Sequence, residues 1–201
     1  MGEGLLNYSF VNILYIKKGA NLLTVKDQKE IKQKALQLFE KARIPLTERE
    51  KNEELKILEC GDRDFYEIGL LFLTFINTDF YGGRYIIFLP NQFCPLHIHP
   101  DIPNAQGKIE TFRVVFGQVI KYSATKAHDE IVIPVTAIEL RDLDYKDHVI
   151  LNAGDQSITN VEERHWYKGG PEGAISMEIS TPLRHEEYDV WTDKTSYPKI
   201  Y

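Results

Sequence analysis

Two histidines two residues apart, His97 and His99, have the spacing in this chain that most directly suggests chemistry. They lie in an apolar run, Cys94-Pro95-Leu96-His97-Ile98-His99. In a β-strand, residues i and i+2 project from the same face about 7 Å apart, so both imidazoles can converge on one point. Because a His-x-His pair also arises by chance, it is a weak signal alone. The pair predicts a metal site only if further ligands are found elsewhere in the chain.

Glu110 and His165 are candidates for those further ligands. Glu110 opens a second alternating segment, and we expect Phe112, Val114 and Phe116 to share its face. His165 follows much later in the chain. Imidazole nitrogens and one carboxylate oxygen suit a divalent metal ion. Such an ion would keep open coordination positions, at which it could polarise a substrate oxygen or activate water or oxygen.

Lys108 and Glu178 are the candidate proton-transfer residues. Lys108 precedes Glu110 by two positions, so on an extended segment the two side chains point the same way. Glu178 alternates with Ser176 and Ser180 on one face of a β-prone segment, where a carboxylate facing a cavity could carry protons. The pattern alone leaves two alternatives open, a solvated loop lysine and a glutamate on the wet face of a sheet.

The chain around these residues has the pattern of a mainly β protein. From Phe65 onward, short β-prone runs are separated by turn residues such as Asn77-Thr78-Asp79 and Gly82-Gly83. Strands at this hairpin spacing are typical of a sandwich or barrel.

Helical signals precede the predicted strands. Asp27 with Glu30 three residues later predicts a helix N-terminus, and apolar residues then recur at helical spacing. Thr47 with Glu50 predicts a second, short helix reaching about Lys56. We expect both helices to pack against the barrel or against a partner subunit.

Length and composition limit the possible classes of protein. The 201 residues suit one domain at 26–201, preceded by a strand-like arm at 1–25. A formal charge of −6 gives no electrostatic signature of nucleic-acid binding, and no apolar run is long enough to span a membrane. The two cysteines, Cys60 and Cys94, fit a reducing cytoplasm, and we interpret Cys94 as a buried structural thiol.

The motifs taken together resemble the cupin superfamily and, more closely, the D-lyxose isomerase family of cupin-fold sugar isomerases. The resemblance runs from about Asp27 to Asp193. The segments that carry it are Glu67–Asn77, Pro95–His99, Lys108-Ile109-Glu110, His165-Trp166 and Gly173–Thr181.

Two features depart from the family pattern. Residues 100–109 separate His99 from Glu110, whereas in the family the glutamate follows the second histidine more closely. Asn160 and Glu162 stand where many cupins carry proline and glycine. Because the inserted residues are rich in turn formers, we expect them to loop out at the pocket mouth. A related but different sugar, or a sugar derivative, is therefore an open alternative as substrate.

The resemblance implies a double-stranded β-helix barrel of the jelly-roll type with N-terminal helices. It implies a divalent metal ion held by His97, His99, Glu110 and His165, with Lys108 and Glu178 as acid–base residues. The implied ion is Mn²⁺, with Fe²⁺, Co²⁺ and Zn²⁺ as alternatives. The implied reaction is aldose–ketose isomerisation of free sugars, D-lyxose to D-xylulose or D-mannose to D-fructose, in a homodimer. An iron-dependent cupin dioxygenase and a non-catalytic sugar-binding cupin are the alternative readings.

Overall fold

The computed structural model describes residues 23–60, 64–124, 148–183, 189–191 and 198–201. Most of the expected N-terminal arm lies outside these residues, as do His128, His185 and the β-prone run at 131–140. The division of the chain at residue 26 therefore stays a prediction. Within the described part of the chain, no helix is long and apolar enough to cross a membrane.

Helix α1 spans Val25–Ala42 and begins one turn earlier than the sequence analysis predicted. Its N-cap is Thr24, whose Oγ1 accepts a hydrogen bond from Asp27 N at 3.2 Å. Asp27 Oδ2 in turn accepts from Thr24 N at 2.8 Å, which completes a capping box. The prediction of Asp27 as the N-cap was wrong. Asp27 is the third helical residue, and its carboxylate accepts a hydrogen bond from the backbone N–H of the N-cap residue.

The second predicted helix is shorter than expected. Thr47 and Glu50 form the expected reciprocal bonds, with Thr47 N donating to Glu50 Oε2 at 2.7 Å. A single π-helical turn, Glu50–Glu54, follows them. The helix does not reach Lys56, because the first strand begins at Leu55. From that residue onward the backbone pairs with the neighbouring strand of the sheet.

Ten strands make up the rest of the described fold. In chain order they are β1 Leu55–Cys60, β2 Gly69–Asn77, β3 Gly82–Phe88, β4 Phe93–Ile98, β5 Glu110–Ala124, β6 His148–Asn152, β7 Gln156–Thr159, β8 Arg164–Ser180, β9 Val190–Trp191 and β10 Pro198–Ile200. They pair antiparallel in the order β10-β1-β2-β3-β8-β4-β9, and β5 pairs with β6, β7 and β8. Neighbours that are distant in sequence, such as β3 and β8, give the double-stranded β-helix that was predicted.

Two apolar clusters follow from the alternation of side chains along the strands. Leu70 and Phe72 of β2 face the barrel interior, while Leu71 and Leu73 face outward. The outward cluster receives the apolar stripe of α1, whose buried members are Ile31, Ala35, Leu38 and Phe39. The helix therefore packs against the outer face of the barrel, which was one of the two roles expected for it.

A bulge in β5 changes the orientation of one predicted inward residue. Val114 pairs with Ser176, but Phe116 pairs with Ile175, so Val115 is an extra residue on β5. A one-residue insertion reverses the faces of the residues beyond it. As a result Phe116 packs against the outer cluster, and the prediction that it shares the face of Glu110 was wrong.

Gly117 lies beside this bulge, where β5 and β8 come close together. We expect Gly117→Ala to lower the free energy of unfolding because the added Cβ does not fit between the two strands. Gly117 has φ +72°, and a Cβ there would collide with the carbonyl oxygen of Gly173. Gly154 is the matched control, because it has φ +101° but nothing within 4 Å of the added atom. Urea unfolding should give a loss of about 1–2 kcal/mol for Gly154→Ala and more than about 3 kcal/mol for Gly117→Ala. Equal losses would contradict the close approach.

Candidate metal centre

Three histidines from two strands meet inside the barrel. His97 lies on β4 and pairs directly with His165 of β8, and His99 follows immediately after β4. Potential ligand atoms of the three residues all lie within 4.8 Å of one another. The exposed fractions of His97, His99 and His165 are only 6%, 2% and 0%. These residues form a buried group that could hold a metal ion.

Each imidazole is oriented by a hydrogen bond from Nδ1. The acceptors are Pro95 O for His97 at 2.8 Å, Asp189 Oδ1 for His99 at 2.6 Å, and Glu163 O for His165 at 2.8 Å. Because a carbonyl or carboxylate oxygen only accepts, Nδ1 carries a proton in each ring, and Nε2 keeps a lone pair whenever the ring is neutral. This is the arrangement found around metal-bound histidines.

Two of the inward nitrogens lack a hydrogen-bond partner. Nε2 of His99 and Nε2 of His165 are buried, and neither makes a hydrogen bond of acceptable geometry with any described residue. A buried polar atom without a partner costs free energy. A cation at the centre of the group would satisfy both nitrogens, so the donor set fits a metal ion.

The electrostatics of two of the three rings also favour a bound cation. Burial lowers the pKa of His165 to about 4, and burial with the neighbouring His165 and His99 rings holds the pKa of His97 well below its usual range. Both rings are therefore neutral near pH 7 and able to donate a lone pair. Burial and Lys108 oppose a positive charge on His99, but Glu110 and Asp189 outweigh them and raise its pKa.

Glu110 lies against the histidine group, as the sequence predicted. Its Oε1 is 3.1 Å from His99 Nε2, and its Oε2 is 3.6 Å from His165 Nε2. Burial opposes its ionisation, but Lys108 and His99 hold the pKa of the carboxyl group well below its usual range. An ionised carboxylate therefore faces the same centre as the imidazoles.

Lys108 and Glu178 both lie inside the barrel, so the two solvent-exposed alternatives were wrong. Lys108 is 6% exposed, and its Nζ is 2.7 Å from Glu110 Oε1 and 3.6 Å from Glu178 Oε1. Glu178 is 3% exposed, and the alternating Ser176 and Ser180 are buried with it. The two candidate proton-transfer residues are thus close to each other and to Glu110.

Two residues of the site were missed by the sequence analysis, Arg84 and Asp189. Arg84 Nε is 3.0 Å from Glu178 Oε1. Arg84 alternates with Ile86 and Phe88, which both belong to the interior cluster. This alternation could have indicated that Arg84 faces inward. Asp189 belongs to the C-terminal segment, and no local pattern signals its contact with His99 ninety residues away.

An internal cavity of about 90 Å³ lies beside the histidines. Its charged and imidazole lining consists of Arg84, His97, His99, Glu110, Glu178 and Asp189. Its aliphatic and phenyl lining consists of Leu58, Leu70, Phe72, Ile86, Phe88, Phe112 and Ile200. A small concave cavity with a few convergent polar groups is the usual form of a small-molecule site.

The two departures from the cupin pattern leave the centre intact. The inserted residues 100–109 fold into a tight turn closed by the Ile102–Ala105 bridge, and Gly107 N donates to Asp101 Oδ1 at 2.7 Å. Glu162 adopts φ 60°, a left-handed conformation that glycine would take easily. Its backbone N–H donates to His99 O at 3.1 Å, which ties this turn to the histidine segment.

The cysteines take no part in the candidate chemistry. Cys60 and Cys94 are both buried thiols of the interior cluster, and Cys94 also lines the cavity. Burial raises the pKa of the Cys94 thiol well above its usual range. A protonated thiol is neither a good ligand nor a nucleophile, in agreement with a structural role.

Comparison with known proteins identifies the family. The chain is 33% identical over 172 residues to a D-lyxose ketol-isomerase of Cohnella laeviribosi, covering 86% of this chain and 91% of that protein. It is 34% identical over 166 residues to a D-lyxose/D-mannose isomerase of Thermosediminibacter oceani, covering 82% and 90%. No protein-family model matches the chain.

Solved structures show the same fold in other sugar isomerases. An L-ribose isomerase of Cellulomonas parahominis superposes with a TM-score of 0.63 at 17% identity, over 86% of this chain and 94% of that one. A mutant L-ribose isomerase of Acinetobacter sp. DL28 gives 0.59 at 18% identity, over 80% and 82%. From the sequence identities above, the chain belongs to the D-lyxose isomerase family and is a sugar ketol-isomerase, an intramolecular oxidoreductase.

Proposed function

We propose that this enzyme is a divalent-metal-dependent aldose–ketose isomerase of free sugars of the D-lyxose/D-xylulose and D-mannose/D-fructose type. One observation carries the proposal: three buried imidazoles with inward Nε2 atoms lie beside a carboxylate–ammonium–carboxylate row at a small cavity that His97, His99, Glu110 and Glu178 line. The names of the relatives, which include D-lyxose and D-mannose isomerases, support this substrate class.

The proposed metal ligands are His97, His99, His165 and Glu110. Three imidazole nitrogens and one carboxylate oxygen suit Mn²⁺, and Fe²⁺, Co²⁺ and Zn²⁺ accept the same donors. When bound, the ion polarises the carbonyl and hydroxyl oxygens at C1 and C2 of the sugar.

The charge balance of the cavity supports a cation there. Arg84 and Lys108 face three carboxylates, those of Glu110, Glu178 and Asp189. Among the described residues one carboxylate is in excess, and a bound cation would compensate it in place of the proton that the raised pKa of His99 favours.

Glu178 is the proposed proton carrier. Its carboxylate takes the proton from C2 of the aldose, and the electron pair forms a C1–C2 double bond as the carbonyl oxygen at C1 becomes an enediol oxygen. The same carboxylate then returns the proton to C1, and the proton of the C2 hydroxyl passes to the oxygen at C1, so that C2 becomes the ketose carbonyl and C1 carries a hydroxyl. A positioned carboxylate typically accelerates such transfers 10²–10⁴-fold.

Lys108 is proposed to stabilise the charge that develops on the sugar oxygens. Its ammonium is 6% exposed and therefore acts in a water-poor setting, where a fixed positive charge interacts more strongly than in solution. Its 2.7 Å contact with Glu110 holds the ammonium between the proposed metal ligands and Glu178.

The first test of this function combines metal removal with sugar turnover. Chelation should abolish interconversion of D-lyxose with D-xylulose, and added Mn²⁺ should restore it, as followed by chromatography of the sugars. Bound metal without conversion of D-lyxose, D-mannose or D-fructose would contradict the proposal. Bound iron with oxygen uptake would instead favour the dioxygenase.

Glu178→Gln should lower kcat by about 10²–10⁴-fold, because the amide cannot accept the proton. Metal content, measured by elemental analysis, should equal that of the wild type. Glu172→Gln is a matched control on the same strand, since Glu172 is exposed and should be replaceable without effect. Undiminished turnover in Glu178→Gln would exclude Glu178 as the proton carrier.

Asp189→Ala should weaken metal binding by about 10–100-fold, because it removes the acceptor that orients His99. Competition with a fluorescent chelator would measure the dissociation constant. Asp64→Ala is the control, since Asp64 is exposed and its carboxylate accepts a hydrogen bond from the nearby Tyr66 N. An unchanged dissociation constant for Asp189→Ala would show that the contact with His99 has no part in metal binding.

A further inference from the structure

The Arg84–Glu178 ion pair is a buried contact to which the proposed chemistry assigns no role. Arg84 on β3 is the direct cross-strand partner of Glu178 on β8. Arg84 Nε is 3.0 Å from Glu178 Oε1, and the two side chains are 11% and 4% exposed. The guanidinium carbon also lies 5.5 Å from the ring centroid of Phe72, within range of a cation–π contact. The arginine is therefore held from two sides.

Both cations near Glu178 contact the same carboxylate oxygen. Arg84 Nε and Lys108 Nζ approach Oε1, at 3.0 Å and 3.6 Å. Among the described residues no donor is found at Oε2, and Glu178 also lines the cavity. Oε1 thus lies against both cations through ion-pair contacts that lack hydrogen-bond geometry, and Oε2 is available to a molecule in the cavity.

The anchoring matters because the final torsion of a glutamate side chain is broad and has no sharp preferred angle. A carboxylate that rotates about this bond presents either oxygen, at variable positions. A contact to one oxygen restricts that rotation. Misplacement of a reacting group by about 1 Å can cost on the order of 100-fold in rate.

Stability alone gives a weak reason for burying this pair. Desolvation of two charges roughly cancels their attraction, so an apolar pair of similar size would be about as stable. A constraint on the geometry of Glu178 is a benefit that an apolar pair could not supply.

We propose that Arg84 is a positioning residue that anchors Oε1 of Glu178, so that Oε2 is the atom that takes the sugar proton and returns it. The inference rests on the isomerase function proposed above and adds the atom and the residue that controls it. Oε2 gains one proton from carbon and gives one proton to carbon, so the carboxylate is unchanged after each turnover.

The test uses Arg84→Met and Arg84→Lys in the full chain loaded with Mn²⁺, with D-lyxose as substrate. Arg113→Met is the matched control, because Arg113 is an exposed arginine on β5. The readouts are kcat and KM separately, metal content, thermal unfolding, and deuterium incorporated from D₂O per turnover.

For Arg84→Met we expect kcat to fall about 100-fold with KM within about threefold of the wild-type value, since positioning acts on the reacting complex. Deuterium incorporation should rise, because a less constrained carboxylate exchanges its proton with solvent more often. Arg84→Lys should recover part of kcat, and guanidinium ion should partly rescue Arg84→Met. Arg113→Met should match the wild type.

Three results would overturn the inference. A raised KM with unchanged kcat would make Arg84 a substrate-binding residue, and an unchanged kcat would remove its role. A kcat loss that follows lost metal or a lowered melting temperature would make its role structural. If Arg84→Met does not fold, the folded Arg84→Lys decides by the same criteria. Wild-type protein that converts no sugar would contradict the proposed isomerase function itself. An active wild type together with a fully active Arg84→Met would contradict only the proposed role of Arg84.

Discussion

The register between β5 and β8 is the constraint on which the site depends. In this antiparallel ladder Glu110 pairs with Ser180, Phe112 pairs with Glu178, and the far end of β8 brings His165 opposite Ser123. One hydrogen-bonded pairing therefore fixes the proposed fourth ligand, the proposed proton carrier and the third histidine relative to one another. Because the side-chain period of a strand is two, a slip of one residue would turn these side chains away from the cavity.

The orientation of the histidines is settled by acceptors outside the ring cluster. Each Nδ1–H is bonded, twice to backbone carbonyls and once to Asp189. The carbonyl of Glu163 is itself held in place, since the Glu163 side chain is 2.9 Å from the buried Lys121. Because the rings are already fixed before a ligand binds, binding loses less conformational entropy. The metal group is therefore supported by parts of the chain that never touch its centre.

The C-terminal segment is the most distant of these supports. Its residues 190–191 pair with the histidine strand β4, and residues 198–200 pair with β1. The described portions of this tail thus extend the sheet at two edges, and one of them delivers Asp189 to His99. The described portions of the C-terminal segment pair with strands of the same chain, and this pairing connects the segment to the site.

The sequence alone determined the strand-rich fold and which residues alternate on one face, because alternation along a strand is a local property. It left open whether Lys108 and Glu178 face the interior or solvent, and only the folded barrel showed both to be buried. It misplaced the cap of α1 by three residues, since Thr24 and Asp27 each satisfy part of one capping box. It also misassigned Phe116, because a bulge depends on the partner strand. Only the tertiary structure decided that Arg84 contacts Glu178 and that Asp189 contacts His99, since each contact joins segments about ninety residues apart and no local pattern names the partner.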